Sequence, residues 1–333
     1  MVTAVQYNRQ VLAETKPRMS YSGGKVFVWQ QKAKEKLREL LGLDRFQKVD
    51  PQLEIEFDRA IEGGREIRFS FQSEEGYRVP CHLVLPEGVS NPPVMIALQG
   101  HSTGMHISLG NPKYESDERT IKGGDRDFCV RALKEGYASI AVEQRNFGEC
   151  GGNEKGPDCF QSAMTALLCG RTTIGERVWD IQRLIDVLES DFAHLVDLKK
   201  ICCMGNSGGG TATAYLMALE ERVVLAMPSC AMCTYRDSIG AMHHCACNYV
   251  PDIANWFDMN DLMAMAAPKY YIQVSGMEDG IFPIAGAEEV FLKGKRAYDA
   301  LGESDKCILV KGEGGHRFYA DDAWPFVHKF LGI

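Results

Sequence analysis

The stretch that decides the fold is Gly205-Asn206-Ser207-Gly208-Gly209-Gly210. It follows the apolar run from Ile201 to Met204 and precedes a segment of helical character from Thr211 to Leu219. It matches the pattern G-x-S-x-G between a strand and a helix. Glycines let the strand and the helix approach closely while the turn holds the serine in strained backbone angles. The sequence therefore predicts a nucleophilic serine hydroxyl exposed above a sheet.

A glycine-rich turn between a strand and a helix can also bind phosphate at the helix N-terminus. This stretch lacks the lysine of a P-loop and lacks G-x-G-x-x-G spacing followed by a ribose-binding acid. The nucleophile interpretation is therefore favoured over a phosphate site.

Strand-like and helix-like segments alternate on both sides of this turn. A hairpin is predicted from residues 65–71 and 77–85. Further strands are predicted at 94–98, 138–142, 200–204, 223–228, 270–275 and 307–311, and helices at 127–135, 176–190, 211–219, 285–301 and 320–331. This order predicts an α/β fold with a mostly parallel central sheet flanked by helices.

The domain organisation follows from the same pattern. An amphipathic helix is predicted over residues 25–43, so residues 1–60 are expected to form an N-terminal helical extension packed on the main domain of residues 61–333. Three irregular stretches, 102–124, 146–171 and 232–268, are expected to form loops or small helices around the mouth of a site.

The composition excludes several classes of function. The chain has 333 residues, 45% of them hydrophobic and 25% charged, with a formal net charge of -8. It has no basic run, so neither nucleic acid nor an anionic membrane is an expected partner. The N-terminus lacks a signal-peptide pattern, and the twelve cysteines are expected to be thiols, which together predict a cytoplasmic protein. A small-molecule substrate is expected. The sequence leaves open whether the chain forms a homo-oligomer.

A serine nucleophile on such a turn needs an acid on a loop after a later strand. Asp279 follows the predicted strand 270–275 in the turn from Gly276 to Pro283. Its neighbour Glu278 is the competing carboxylate. Asp279 is the predicted acid.

The base is expected on the loop after the last strand. His316 follows the predicted strand 307–311 within a glycine-rich segment, so the order serine, acid, histidine is complete. The adjacent pair His243-His244 is the alternative source of the base. The joint match favours a triad of Ser207, Asp279 and His316.

Acyl transfer also needs N–H donors for the oxyanion. Gly208 supplies the first donor, since it follows the nucleophile. The second is predicted at His101, with Ser102 as an alternative, because both follow the strand 94–98. The competing interpretation is an ordinary loop in which the His101 side chain bonds locally.

A family resemblance rests on five elements of the sequence. They are Leu98-Gln99-Gly100-His101, Glu143 to Glu149, Gly205-Asn206-Ser207-Gly208-Gly209, Gly276-Met277-Glu278-Asp279 and Gly315-His316. Over roughly residues 65 to 333 the chain resembles the dienelactone hydrolase and acetyl xylan esterase branch of α/β hydrolases. The resemblance implies the α/β-hydrolase fold and a carboxylic ester hydrolase with Ser207, Asp279 and His316 as its triad. Gln99-Gly100 replaces the His-Gly of many relatives, and the serine replaces the cysteine of dienelactone hydrolases proper, so the dienelactone substrate is not carried over.

Two cysteine pairs raise the question of a metal. Cys230-Ala231-Met232-Cys233 and Cys245-Ala246-Cys247, the latter beside His243 and His244, could supply zinc ligands. Cys-x-Cys is tighter than the usual spacer, and buried cysteine behaves as a small apolar residue. Packing is therefore favoured, and neither a metal nor another cofactor is expected.

The segment 248–265 is rich in apolar side chains. It could form an acyl pocket or lid, with Tyr249, Trp256 and Phe257 as candidate pocket residues, or a small helix that covers the core. Elsewhere, Glu143, Arg145 and Asp180 are expected to form an ion-pair network that supports loops rather than a site.

These patterns together predict a serine carboxylic ester hydrolase, of esterase or lipase-like type, that cleaves small or medium acyl esters through an acyl-enzyme. The alternatives are a serine peptidase of the prolyl oligopeptidase type, an acyltransferase, and a catalytically silent α/β hydrolase that binds a ligand or protein.

Overall fold

The computed structural model describes residues 1–153 and 155–332, so Glu154 and Ile333, the last residue of the predicted main domain, lie outside it. Nine strands of the described chain form one sheet. They are β1 (Glu54–Ile61), β2 (Gly64–Glu74), β3 (Tyr77–Pro86), β4 (Pro93–Leu98), β5 (Ala138–Val142), β6 (Asp197–Asn206), β7 (Val223–Ser229), β8 (Tyr270–Gly276) and β9 (Cys307–Gly312).

Eleven α-helices lie within the same described residues. They are α1 (Ala4–Glu14), α2 (Val26–Leu41), α3 (Glu115–Gly124), α4 (Phe128–Lys134), α5 (Phe160–Leu168), α6 (Thr173–Ser190), α7 (Gly208–Leu219), α8 (Ile253–Trp256), α9 (Met259–Ala266), α10 (Ile284–Leu301) and α11 (Ala320–Leu331).

The strand order is β1-β2-β3-β5-β4-β6-β7-β8-β9. The first three strands form an antiparallel meander that joins β5 antiparallel, whereas β5, β4 and all later strands pair in parallel. The carboxyl ends of β4, β6, β7, β8 and β9 therefore meet at one edge, which is where parallel sheets place their sites.

Helices cover both faces of the sheet, which is why the central strands are continuous apolar runs. Along β4, Val94, Ile96 and Leu98 point into the core formed with α2, α6, α7, α9 and α10. Met95 and Ala97 point into a second core formed with α4 and α11. The α/β class and the mostly parallel sheet predicted from the sequence are confirmed.

The predicted hairpin and the other predicted strands and helices are all present, with ends shifted by a few residues. The sequence analysis did not predict α1 and β1. The sheet begins at Glu54, inside the segment assigned to the N-terminal extension. The domain boundary at residue 60 stays a prediction.

Most side chains of strand β1 are exposed, and none of its residues is fully buried. Ion pairs to β2 and β3 take the place of apolar contacts. They join Glu54 to Arg78, Glu56 to Arg68, Asp58 to Arg65 and Arg59 to Glu66.

The segment 248–265 contains α8 and most of α9. Every residue of α9 is buried, and the helix packs against α7 and α10. The structure thus favours the core-covering interpretation of this segment over a lid.

No helix among the described residues is long and apolar enough to cross a membrane.

Candidate active site

Ser207 lies at the turn between β6 and α7. Its backbone has φ 57° and ψ -124°, a region that non-glycine residues rarely adopt. The Ser207 N–H donates to the carbonyl of Ser229 at the end of β7, at 2.8 Å. The strained angles are thus held by the neighbouring strand.

The glycines around Ser207 are required by close backbone contacts. A Cβ on Gly205 would lie 2.4 Å from the carbonyl carbon of Gly209. A Cβ on Gly209 would lie 2.1 Å from the carbonyl oxygen of Leu98. Any side chain at these positions would therefore push α7 away from β4 and β6.

Asp279 and His316 form a hydrogen-bonded pair at the ends of β8 and β9. His316 Nδ1 lies 2.9 Å from Asp279 Oδ2. Asp279 Oδ1 accepts the N–H groups of Ile281 and Phe282 at 2.8 and 3.1 Å. Glu278, the competing carboxylate, is exposed.

The environment keeps the Asp279 carboxylate ionised. Burial favours its neutral form, but the hydrogen bonds from His316, Phe282 and Ile281 outweigh this and lower the pKa of Asp279. An ionised acceptor at Nδ1 fixes the proton on that nitrogen, which leaves Nε2 free to accept a proton from another group.

Cys230 links this pair to Ser207. It follows Ser229, whose carbonyl holds the Ser207 N–H. Its Sγ, a ring nitrogen of His316 and a carboxylate oxygen of Asp279 all lie within 4.8 Å of one another. The serine, the acid and the histidine therefore meet at the same edge of the sheet.

The turn after β4 passes directly over Ser207. A Cβ on Gly100 would lie 2.8 Å from Ser207 Cβ and 2.6 Å from the Asn206 carbonyl oxygen. The His101 imidazole packs on Gly208, where a Cβ would lie 3.0 Å from His101 Cε1. Gly208 begins α7, so its N–H has no carbonyl partner within the helix. Both predicted oxyanion donors belong to backbone that adjoins Ser207.

The Gln99 side chain holds this turn in place. The side chain is 1% exposed. Its Nε2 donates to Ser108 Oγ at 2.7 Å and to the Arg126 carbonyl at 2.6 Å, and its Oε1 accepts from Arg126 Nε at 2.9 Å. Gln144 Nε2 donates to the Gln99 carbonyl at 2.5 Å. The amide thus fixes the turn through neutral groups and one buried guanidinium.

The histidine pair offered as an alternative base lies elsewhere. His243 is exposed. His244 Nε2 lies 3.1 Å from Ser238 Oγ, and its ring packs on Phe282, whose other contact is the His316 ring. Burial lowers the pKa of His244. Among the described residues, the hydrogen bonds of the Asp279 carboxylate come from His316, Ile281 and Phe282 and not from this pair.

The three candidate pocket residues lie in different surroundings in the structure. Tyr249 lines a cleft of about 580 Å³. Phe257 is fully buried in the core, and the Trp256 ring packs under Arg18 and Lys36 of the N-terminal segment. Neither ring lines the cleft that Tyr249 lines, so the assignment of Trp256 and Phe257 to a substrate pocket stays a prediction that their packing does not support.

The cleft that Tyr249 lines opens between α5 and the loop before α8. Its walls are mostly apolar and include Phe160, Met164, Leu167, His243 and His244. Through His244 and Phe282 it connects by ring contacts to His316.

A second group of side chains lies beside the turn after β4. His101, Cys159, Cys245 and Cys247 bring four ligand atoms within 4.8 Å of one another. Cys230 and Cys233, the other half of the cysteine set considered from the sequence, do not join them: Cys230 Sγ lies 3.1 Å from the Arg317 carbonyl, and Cys233 Sγ lies 3.6 Å from that of Pro283. Sequence analysis missed Cys159 because nothing in its own segment signals a ligand.

The expected ion-pair network is present in part. Arg145 binds Asp180 through two hydrogen bonds of 2.8 Å and Glu74 through one of 2.6 Å. Glu143 does not take part; its carboxylate accepts the backbone N–H groups of Met105 and Glu149. Glu143 therefore supports the loop that follows the turn after β4.

Known proteins share this arrangement of strands and helices. No protein-family model matches the chain. YtaP of Bacillus subtilis, which is named provisionally as a hydrolase, is 23% identical over 264 residues, or 76% of this chain and 84% of YtaP.

Solved structures extend the comparison to most of the chain. A Bacteroides fragilis protein, provisionally named an acetyl xylan esterase, superposes with a TM-score of 0.77 at 16% identity over 93% of this chain and 82% of its own. A glucuronoyl esterase from Solibacter usitatus superposes with a TM-score of 0.67 at 14% identity over 96% and 98%. At these identities the likeness establishes the architecture, and the chain has the α/β-hydrolase fold.

Proposed function

We propose that the protein is a serine carboxylic ester hydrolase. The observation that carries the proposal is the convergence of a strained Ser207 with the hydrogen-bonded pair His316–Asp279 at one edge of the sheet. This combination of nucleophile, base and orienting acid is the one that acyl transfer requires.

The proposed mechanism has two steps. His316 Nε2 accepts the Ser207 proton while Oγ attacks the ester carbonyl, and Asp279 stabilises the imidazolium that forms. The N–H groups of Gly208 and His101 are proposed to bind the oxyanion. The imidazolium then protonates the departing alcohol, and water, activated by the same histidine, hydrolyses the acyl-enzyme.

The proposed substrate is a small ester, with esters of carbohydrates as the leading class. Two of the structural relatives are named for esters of that kind, an acetyl xylan esterase and a glucuronoyl esterase. The apolar cleft beside His244 and Tyr249 is the proposed site for the larger part of the substrate.

The first test compares wild type with Ser207→Ala on p-nitrophenyl acetate and butyrate, with intact-mass measurement after fluorophosphonate treatment. We expect an active, singly labelled wild type and an inert, unlabelled variant. A folded wild type that neither turns over nor labels would overturn the proposal and favour the binding-protein alternative.

A second comparison separates ester from amide chemistry. Aminoacyl-p-nitroanilides should react far more slowly than the p-nitrophenyl esters, whereas equal rates would favour the peptidase alternative. Acetylated xylobiose and a methyl ester of glucuronic acid then distinguish the two carbohydrate classes.

We also propose a cytoplasmic location. Most of the twelve cysteines are buried as free thiols among strands and helices, which suits a reducing compartment. Cell fractionation with immunodetection tests this, and recovery outside the cytoplasm would contradict it.

A further inference from the structure

Four side chains that bind soft metal ions converge from three separate loops. His101 follows β4, Cys159 immediately precedes α5, and Cys245 and Cys247 lie in the loop between β7 and α8. Their ligand atoms all lie within 4.8 Å of one another. Cys159 and Cys247 are buried, and His101 and Cys245 are partly buried.

The distances suit one tetrahedral ion. His101 Nε2 lies 3.2 Å from Cys247 Sγ, which lies 3.3 Å from Cys245 Sγ. In a tetrahedral zinc site with Zn–S bonds of about 2.3 Å, sulfur atoms stand about 3.8 Å apart. Small side-chain rotations would bring all four atoms to that spacing. Three cysteines and one histidine are a typical ligand set of structural zinc.

A buried positive charge beside the cluster supports this interpretation independently. Arg177 is 1% exposed, and its Nη1 lies 3.7 Å from Cys247 Sγ. Its other contacts are the Arg145 carbonyl and the face of Phe147. Among the described residues no carboxylate forms an ion pair with Arg177, although a buried guanidinium needs a counter-charge.

A metal site would provide that counter-charge. Three thiolates and one Zn²⁺ sum to a single negative charge, which Arg177 would neutralise. A disulfide would leave the guanidinium without an anion, would leave one of the three thiols over, and would give no role to the His101 ring nitrogen that faces Cys247.

We propose that His101, Cys159, Cys245 and Cys247 bind one zinc ion in a closed structural site. All four tetrahedral positions are filled by protein, so the ion has no open position for water or substrate. Because the His101 ring packs on Gly208, the ion would fix the turn that adjoins Ser207. His101 is thus a positioning residue through its side chain.

The test is metal analysis of the purified full-length protein after dialysis against a weak chelator. We expect about one zinc ion per chain in wild type and in Ser207→Ala, so the result does not depend on the proposed hydrolase activity. Cys247→Ser and Cys159→Ser should lose most of the zinc. Cys169→Ser, which changes an exposed cysteine outside the cluster, should retain it.

Cobalt substitution in wild type gives a second readout that needs no variant. Co²⁺ bound by three thiolates and an imidazole should show the intense visible absorption of tetrahedral thiolate coordination, which stoichiometric zinc should abolish. The zinc-loaded protein should also unfold at a higher temperature than the stripped protein.

Three results would each overturn the proposal. One is a wild type that holds no zinc and develops no cobalt absorption while its cluster thiols react freely. Another is a disulfide among Cys159, Cys245 and Cys247, mapped by peptide mass spectrometry on protein alkylated at harvest. The third is equal loss of zinc from Cys169→Ser and the cluster variants.

Discussion

Gly100 lies so close to Ser207 that a Cβ at position 100 would stand 2.8 Å from the serine Cβ. The same atom would stand 2.6 Å from the carbonyl oxygen of Asn206, which is backbone and cannot rotate away. The turn after β4 can approach Ser207 this closely because residue 100 has no Cβ.

Gly100→Ala should displace the proposed oxyanion donor at His101 and lower kcat/KM by roughly 100-fold or more, the scale of losing one such donor. Esterase kinetics and the rate of fluorophosphonate labelling measure the effect. Gly123→Ala in α3, where a Cβ would meet no atom within 4 Å, is the matched control and should retain activity. Equal activity of the two variants would show that the turn does not position a donor.

Asp279→Asn should leave the fold intact and lower kcat by roughly 10⁴-fold, because the amide no longer stabilises the proton on His316 Nδ1. Glu278→Gln, one residue away and exposed, should change kcat little. The comparison uses p-nitrophenyl butyrate at saturating concentration. A large loss in Glu278→Gln with an active Asp279→Asn would reverse the assignment of the acid.

Arg145→Ala should lower the free energy of unfolding by about 3–5 kcal/mol, because it leaves the buried carboxylate of Asp180 without its two charged hydrogen bonds. Urea unfolding followed by circular dichroism measures this change. Lys295→Ala removes a partly exposed ion pair to Asp299 within α10 and should cost about 0.5 kcal/mol or less. Similar losses in both variants would mean that the Arg145 network contributes no more than a surface pair.

Glu143 should make stability fall as pH rises. Burial raises its pKa from 4.5 to about 7, although hydrogen bonds from Met105 and Glu149 oppose the shift. Between these two values the folded protein binds more protons than the unfolded chain, so the free energy of unfolding declines with pH through that window.

Glu143→Gln cannot titrate, so its melting temperature minus that of wild type should increase between about pH 5 and pH 8. Asp261, whose pKa burial raises to about 6, contributes the same sign in both proteins and cancels in the difference. Differential scanning calorimetry across this range provides the test. A constant difference would show that Glu143 is ionised throughout.

The sequence predicts the central sheet and the elbow because both rest on local signals. Apolar runs such as 94–98 and 201–204 are typical of strands buried on two faces, and the glycines of 205–210 around a serine favour the nucleophile turn. The order of Ser207, Asp279 and His316 along the chain then follows from the topology of the fold.

What the sequence could not supply is contact between distant segments. Cys159 joins Cys245 and Cys247 only because α5 packs against residues 246–248, which no local pattern encodes. Whether Trp256 and Phe257 belong to the core or to a pocket depends on the same kind of contact, since aromatic side chains suit both equally well. Strand β1 does alternate, with Ile55 and Phe57 between Glu54, Glu56 and Asp58, but the run is short and the sequence analysis did not assign it.

The edge of the sheet formed by β1 affects how the protein associates with other chains. An outer strand offers unpaired N–H and C=O groups to any other chain that approaches it. On β1, charged side chains flank these groups and are bound to arginines and a glutamate of β2 and β3. A neighbour adding itself to the sheet would have to strip water from all of them, and a slip of β1 by one residue would break every pair at once. The β1 edge of the sheet is thus poorly suited to nucleating aggregates, even at high protein concentration.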